Sequence, residues 1–310
     1  MAKSNESAHK TGTLLLALVV MALWGSLFPM IKIGYATLHI SSGDIPSIVL
    51  FAGLRFTVSG LLLLGFFIAR DRSSPLPTRR QLPLVISGAL ATIILQYSLS
   101  YIGIALGEGS KSAIIKQMGY LFLSCFAFLF DKSDRFTPQK AVAGALGFAG
   151  IVATAFDGSG VYFGIGDLLL LVASACSAYG AVISKRATHL IAPTRFVAHT
   201  QLLGGAFLLS VGLLLGGRIG HIDLRGVLVF LYICAASIVA YVLWNYLLKQ
   251  GSLSRLSVIK FTEPLFAVLF SGVLIGERIL RLSYLVAFLL MLAALLAEHF
   301  PRKSGRSLED

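Results

Sequence analysis

YSLSYIGIALGEGSKSAIIKQMGYLFLSCFAFLF runs from Tyr97 to Phe130, and YVLWNYLLKQGSLSRLSVIKFTEPLFAVLFSGVL runs from Tyr241 to Leu274. Laid over one another at an offset of 144, the stretches agree at Tyr97/Tyr241, Leu99/Leu243, Gly107/Gly251, Ser110/Ser254, Ile115/Ile259, Lys116/Lys260, Leu121/Leu265, Phe122/Phe266 and Phe126/Phe270, with Lys111 opposite Arg255. Apolar agreement is cheap in such a sequence. The lysine pair is not, because a cation in hydrocarbon costs roughly 2.5 to 3.5 kcal/mol on insertion scales. The second half of the chain therefore repeats the first, with one lysine inside an apolar helix of each half.

Composition fixes the class. With 56% hydrophobic and 13% charged residues in 310, and a mean hydropathy of +0.85, this is a polytopic membrane protein rather than a soluble domain. Ten apolar stretches of about 17 to 25 residues, the length needed to cross ~30 Å of hydrocarbon, lie at 12–31, 48–69, 82–106, 112–130, 141–156, 166–184, 196–216, 227–248, 256–275 and 282–300. The expected fold is all-α, ten transmembrane helices in two inverted five-helix repeats. Residues 1–11 form an N-terminal tail, 12–156 the first repeat, 157–164 a Gly-rich linker, 165–300 the second repeat and 301–310 a C-terminal tail.

The net charge of +12 reports orientation, not nucleic-acid binding. Of the 26 Lys and Arg, 17 fall in the two tails and the even-numbered connections and 6 in the other connections, so the positive-inside rule puts both termini in the cytoplasm of a plasma-membrane protein. The remaining three, Arg55, Lys116 and Lys260, are inside helices. Five helices per half make the second half enter from the opposite side. Inverted copies of this kind bind substrate at the midplane between the halves.

The deep charges are unequal. Arg55 is about nine residues past Pro46, hence ~14 Å deep at 1.5 Å per residue. Lys260 has Glu263 one turn on, a pair that neutralises itself. The residue matching Glu263 is Gly119, so Lys116 has no acid on its own helix, although a lysine stem also lets it snorkel to the interface. An excess of cations favours an anionic or zwitterionic substrate over a lipophilic cation. Aromatic and amide side chains form a second set: Trp24 and Tyr179 midway along the first and sixth stretches, Tyr120 in the fourth, and Gln96, Tyr97, Tyr101, Tyr241, Trp244 and Asn245 in the third and eighth. These suit an apolar wall with hydrogen-bonding tips, and equally suit interior packing. No His-Glu-x-x-His run, paired intramembrane aspartates or phosphate-binding lysine loop is present, so a transporter is favoured over an enzyme. A scaffold or receptor gives no reason for buried charge. The expected partners are a small-molecule substrate and the lipid bilayer, with neither cofactor, metal nor nucleic acid, and a homodimer is compatible with the sequence.

Trp24-Gly25-Ser26 with Phe28 and Lys32, Arg55, Glu263-Pro264-x-Phe266 and Gly276-Glu277-Arg278, the last echoed by Asp134-Arg135, are similar in order and spacing to the EamA-type transporters of the drug/metabolite transporter superfamily. The resemblance covers residues 12–300. It implies a metabolite carrier, commonly an exporter, with helices 1–4 and 6–9 around a cavity and helices 5 and 10 outside them. The run from Lys260 to Phe266 also resembles a Lys-x-x-Glu-Pro-x-Phe run of sugar-phosphate translocators, in several anion-carrying relatives of which lysines of helices 4 and 9 contact substrate. The superfamily also includes exporters of cationic drugs, so the resemblance leaves the substrate open.

Overall fold

The computed structural model describes residues 2–70, 76–119, 122, 138–155, 162–187, 190–220, 222–250, 262–277 and 282–299. Among these residues there is no strand. The helices are α1 (Ala2–Thr37), α2 (Ile45–Arg70), α3 (Leu82–Leu106), α4 (Gly109–Lys116), α5 (Pro138–Ala155), α6 (Ile165–Ala187), α7 (Pro193–Leu214), α8 (Leu224–Gln250), α9 (Glu263–Ile275) and α10 (Leu282–His299). Six of them, α1–α3 and α6–α8, carry apolar runs long enough to cross a membrane, and α9 and α10 carry shorter ones. Large apolar side chains such as Leu61, Phe66, Phe148, Leu213, Val273 and Leu285 are exposed, as lipid contact requires. The protein is an all-α integral membrane protein.

Among the described residues the most extensive helix pairing is α2 against α7. Glycine makes that approach possible: a Cβ on Gly53 would lie 2.2 Å from the Leu209 nitrogen, and one on Gly205 would lie 2.4 Å from the Thr57 nitrogen. Without an apolar driving force between helices in lipid, such backbone contact supplies the association. α5 packs on α10, where Gly150 meets Met291 and Ala287 and Ala294 complete a small core. α1 lies against α8 and α9, while α6 lies against α3 and α4. The main core gathers Phe28, Tyr35, Phe51, Phe56, Tyr101 and Ile233 from α1, α2, α3 and α8.

Two local features shape the interior between the helices. α3 is α-helical over Leu82–Gly88, π-helical over Ala89–Leu95 and α-helical again over Gln96–Leu106. α9, expected to begin at 256, is described from Glu263, with Pro264 in its first turn, where a missing N–H costs no hydrogen bond. It ends on Gly276 in the left-handed conformation (φ +68°), a glycine C-cap.

Candidate functional site

Between these helices is a cavity of about 250 Å³. α1 contributes Trp24, Leu27, Phe28 and Ile31, the i, i+3, i+4, i+7 face of one helix. α3 contributes Ile93, Gln96, Tyr97, Ser100, Tyr101 and Ile104 on a similar face. Arg55, Lys116, Tyr241, Trp244 and Glu263 complete the deep wall, and among the described residues none of the lining comes from α5 or α10. Gly25 lets α9 close on α1 beside Trp24, since a Cβ there would lie 2.7 Å from the Cβ of Phe266.

Of the residues singled out from the sequence, Trp24, Arg55, Gln96, Tyr97, Tyr101, Lys116, Tyr241, Trp244 and Glu263 come together here. Tyr179 does not: it is 48% exposed on α6 and contributes nothing to the lining, because helical periodicity turns it away from its lining neighbours Ser177 and Ala178. Tyr120, Lys260 and the side chain of Asn245 lie outside the described residues.

Arg55 is 1% exposed, with both terminal nitrogens hydrogen-bonded and Nε buried without a partner among the described residues. One terminal nitrogen donates to the Tyr101 hydroxyl and the other to Ser237 Oγ at 2.5 Å. Its guanidinium lies over the rings of Phe56, Tyr101 and Tyr97, 4.7, 5.6 and 5.8 Å from their centroids. Ser237 in turn donates to the Ile233 carbonyl at 2.7 Å, and Tyr35 donates to the Tyr101 carbonyl at 3.1 Å.

Lys116 is held differently. Its ammonium faces the rings of Tyr97 and Phe28, 5.1 and 5.8 Å from their centroids, and makes no hydrogen bond or ion pair within the described residues. Glu263 of α9 acts on it electrostatically, so the acid missing from its own helix is offered from the other half. The aromatic wall is continuous: Trp24 meets Tyr241 edge-on at 5.8 Å and Trp244 at 5.4 Å. The hydroxyls of Tyr97 and Tyr241, matched residues of the sequence repeat, hydrogen-bond to each other at 2.7 Å.

The cavity has unequal ends. One is tied by charge: Lys32 donates to the Gly107 carbonyl at 2.9 Å and pairs with Glu277 at 3.0 Å, and the same Glu277 oxygen accepts the Gly109 N–H at 2.8 Å. The turn at Gly276 aims Glu277 at this contact. Tyr284 donates to Glu108, and Lys111 pairs with Asp167 at 2.7 Å. Toward the opposite end, where α6 finishes and α7 begins, the lining continues through Ser184, Phe196, Val197 and Thr200. The amides of Gln117 and Gln201 also line the cavity and were not named from the sequence as site residues. Their signal was there: each is a strongly polar side chain inside an apolar run. Gln117 Oε1 and both amide atoms of Gln201 are buried without a partner among the described residues. Among those residues no group of His, Cys, Asp and Glu could hold a metal ion.

Known proteins add what geometry alone does not. The model of the EamA-like transporter family matches residues 11–156 and again 164–298. An uncharacterized inner membrane transporter of Escherichia coli K12, YedA, is 27% identical over 91% of this chain and 90% of its own length. A probable amino-acid metabolite efflux pump of the same strain is 26% identical over 89% and 91%. One crystal structure shares the fold with a TM-score of 0.64 at 18% identity, covering 93% of this chain and 96% of that one.

Proposed function

This chain belongs to the EamA-like transporter family, and from that premise we propose that it is a secondary transporter carrying a small anionic or zwitterionic metabolite by alternating access between two inverted five-helix halves. Membrane transport follows from the family and its relatives. The substrate class rests on one observation, the Lys116 ammonium, which reaches the cavity wall with ring faces around it and no hydrogen bond within the described residues. A carboxylate or phosphate on a ligand satisfies such a group, whereas a lipophilic cation adds to the repulsion. The wall of Trp24, Tyr241 and Trp244 then receives the apolar body of the same molecule. An amino acid, an organic acid or a sugar phosphate has the required combination, and the efflux-pump relative favours the first and the outward direction.

The inverted arrangement is supported by which helices touch. α2 with α7 and α5 with α10 pair each helix with its counterpart, and α1 with α8 and α9 is answered by α6 with α3 and α4. The tied end at Lys32 and the lined way past Phe196 support a state open at one end only. With both termini cytoplasmic the open end faces inward, and a maleimide that does not cross membranes should leave cysteines at Thr78 and Leu190 unlabelled from outside intact cells.

Counterflow in proteoliposomes tests the whole reading. After a thermal-shift screen of amino acids, organic acids, sugar phosphates and cationic dyes, the stabilising compound should drive uptake of its labelled form when preloaded unlabelled. Stabilisation by cationic dyes alone would overturn the substrate class, and binding without counterflow would return the chain to the receptors. Trp24→Ala should lower counterflow well beyond any loss of folded protein.

A further inference from the structure

The π-helical stretch of α3 has a regular counterpart. Over Ala89–Leu95 the backbone widens, and the Gln96 N–H reaches back five residues to the Ala91 carbonyl. A π segment behaves as one residue inserted into an α-helix, and it persists only where its surroundings seat it. Here they do: a Cβ on Gly180 of α6 would lie 2.3 Å from Thr92 Cγ2, and one on Gly204 of α7 would lie 2.6 Å from Ile93 Cβ. The offset that matches Tyr97 with Tyr241 maps Ala89–Leu95 onto Ile233–Val239. That stretch is uninterrupted α-helix within α8. Equivalent positions of the two halves therefore hold different backbones in one structure.

We infer that this π segment is the hinge of the transport cycle: when the cavity changes ends, α3 becomes regular over Ala89–Leu95 and the π segment forms in α8 over Ile233–Val239. The inference rests on the alternating-access reading above, in which the two halves exchange conformations. Absorbing one residue turns the helix beyond it by about 100° and shifts it by about 1.5 Å. Gln96, Tyr97, Ser100 and Tyr101 follow the segment directly and line the cavity, so the hinge re-aims the wall of the site.

Arg55 joins the two hinges. Its hydroxyl partners are Tyr101, beyond the irregular stretch of α3, and Ser237, inside the matching stretch of α8. A change in either helix moves one of the two hydroxyls that hold the guanidinium, which makes the exchange reciprocal rather than independent.

The labelling itself needs no substrate. In a cysteine-free background, Ser177→Cys places a reporter in the cavity lining, and an impermeant maleimide is applied from either face of sealed vesicles. Deleting Ala91 removes the extra residue from α3, and inserting one alanine after Ala236 supplies it to α8. Either change should shift the ratio of labelling from the two faces at least tenfold toward the Lys32 end relative to the parent. An unchanged ratio in a folded variant overturns the hinge. Failure of both variants to fold overturns it as well, since each carries a backbone that the cycle requires. A shifted ratio in a protein whose wild type shows no counterflow would instead remove the transport reading and leave the hinge.

Discussion

Arg55 and Lys116 are both cations inside the bundle, and their surroundings could hardly differ more. The arginine donates to two hydroxyls and is covered by three rings; the lysine meets two ring faces, has Glu263 as its electrostatic partner and donates to none of the described residues. A cation furnished with neutral acceptors is compensated by the fold, and removing it disturbs the fold. One left with ring faces is stabilised less, by about 2 kcal/mol per desolvated cation–π contact, and in the transport reading proposed above a ligand completes it.

Substitutions can break this contrast. The largest effect is expected from Arg55→Ala, which strips two buried hydroxyls of their donor and leaves a gap in the packed cavity wall, with a loss of about 3 kcal/mol or more in stability and parallel falls in folded protein and transport. Folded protein recovered at the wild-type level, with ligand affinity alone reduced, would make Arg55 a substrate ligand and abolish the distinction. Next comes Lys116→Gln, expected to weaken an anionic ligand found by the thermal screen by about 1.5 to 3 kcal/mol with folded yield unchanged. Lys116→Arg should keep part of that affinity because it keeps the charge. Unchanged binding in the glutamine variant would make the lysine a snorkelling residue. Tyr101→Phe strands one guanidinium donor and should cost about 1 to 2 kcal/mol, read as a lower midpoint of thermal unfolding in detergent. Ser237→Ala should cost about 1 kcal/mol, since it removes one of the two hydroxyls that accept from the Arg55 guanidinium. A drop larger than that of Tyr101→Phe would show that α8 carries the greater part of the hold on Arg55.

Much of this was legible in the sequence. The lysine pair and the apolar runs disclosed the repeat and the helices, because a charge in lipid is costly enough to stand out from chance agreement. The cavity faces of α1 and α3 were legible as far as Trp24, Gln96, Tyr97 and Tyr101. Tyr179 was misjudged because every face of a lipid-embedded helix is apolar, so polarity no longer tells inside from outside. Lys32 and Glu277 were recognised one at a time and not as a pair, since 245 residues separate them and only the crossing of α1 with α9 brings them to 3.0 Å. The π segment had no sequence signal at all: Ala-Leu-Ala-Thr-Ile-Ile-Leu is an ordinary helical run, and the glycines it packs against lie in two other helices.

The hydrogen bond between Tyr97 and Tyr241 also joins two matched positions of the sequence repeat. Between two identical copies of one stretch, such a contact is one residue meeting its own counterpart. Only a group that both donates and accepts can pair with itself, and a phenol does; a lysine or a glutamate at that position would have repelled its twin. The matched positions 119 and 263 carry different residues, Gly and Glu. The contact places a shared constraint on its two ends, so substitutions at 97 and 241 are expected to occur together among relatives, and those at 119 and 263 singly.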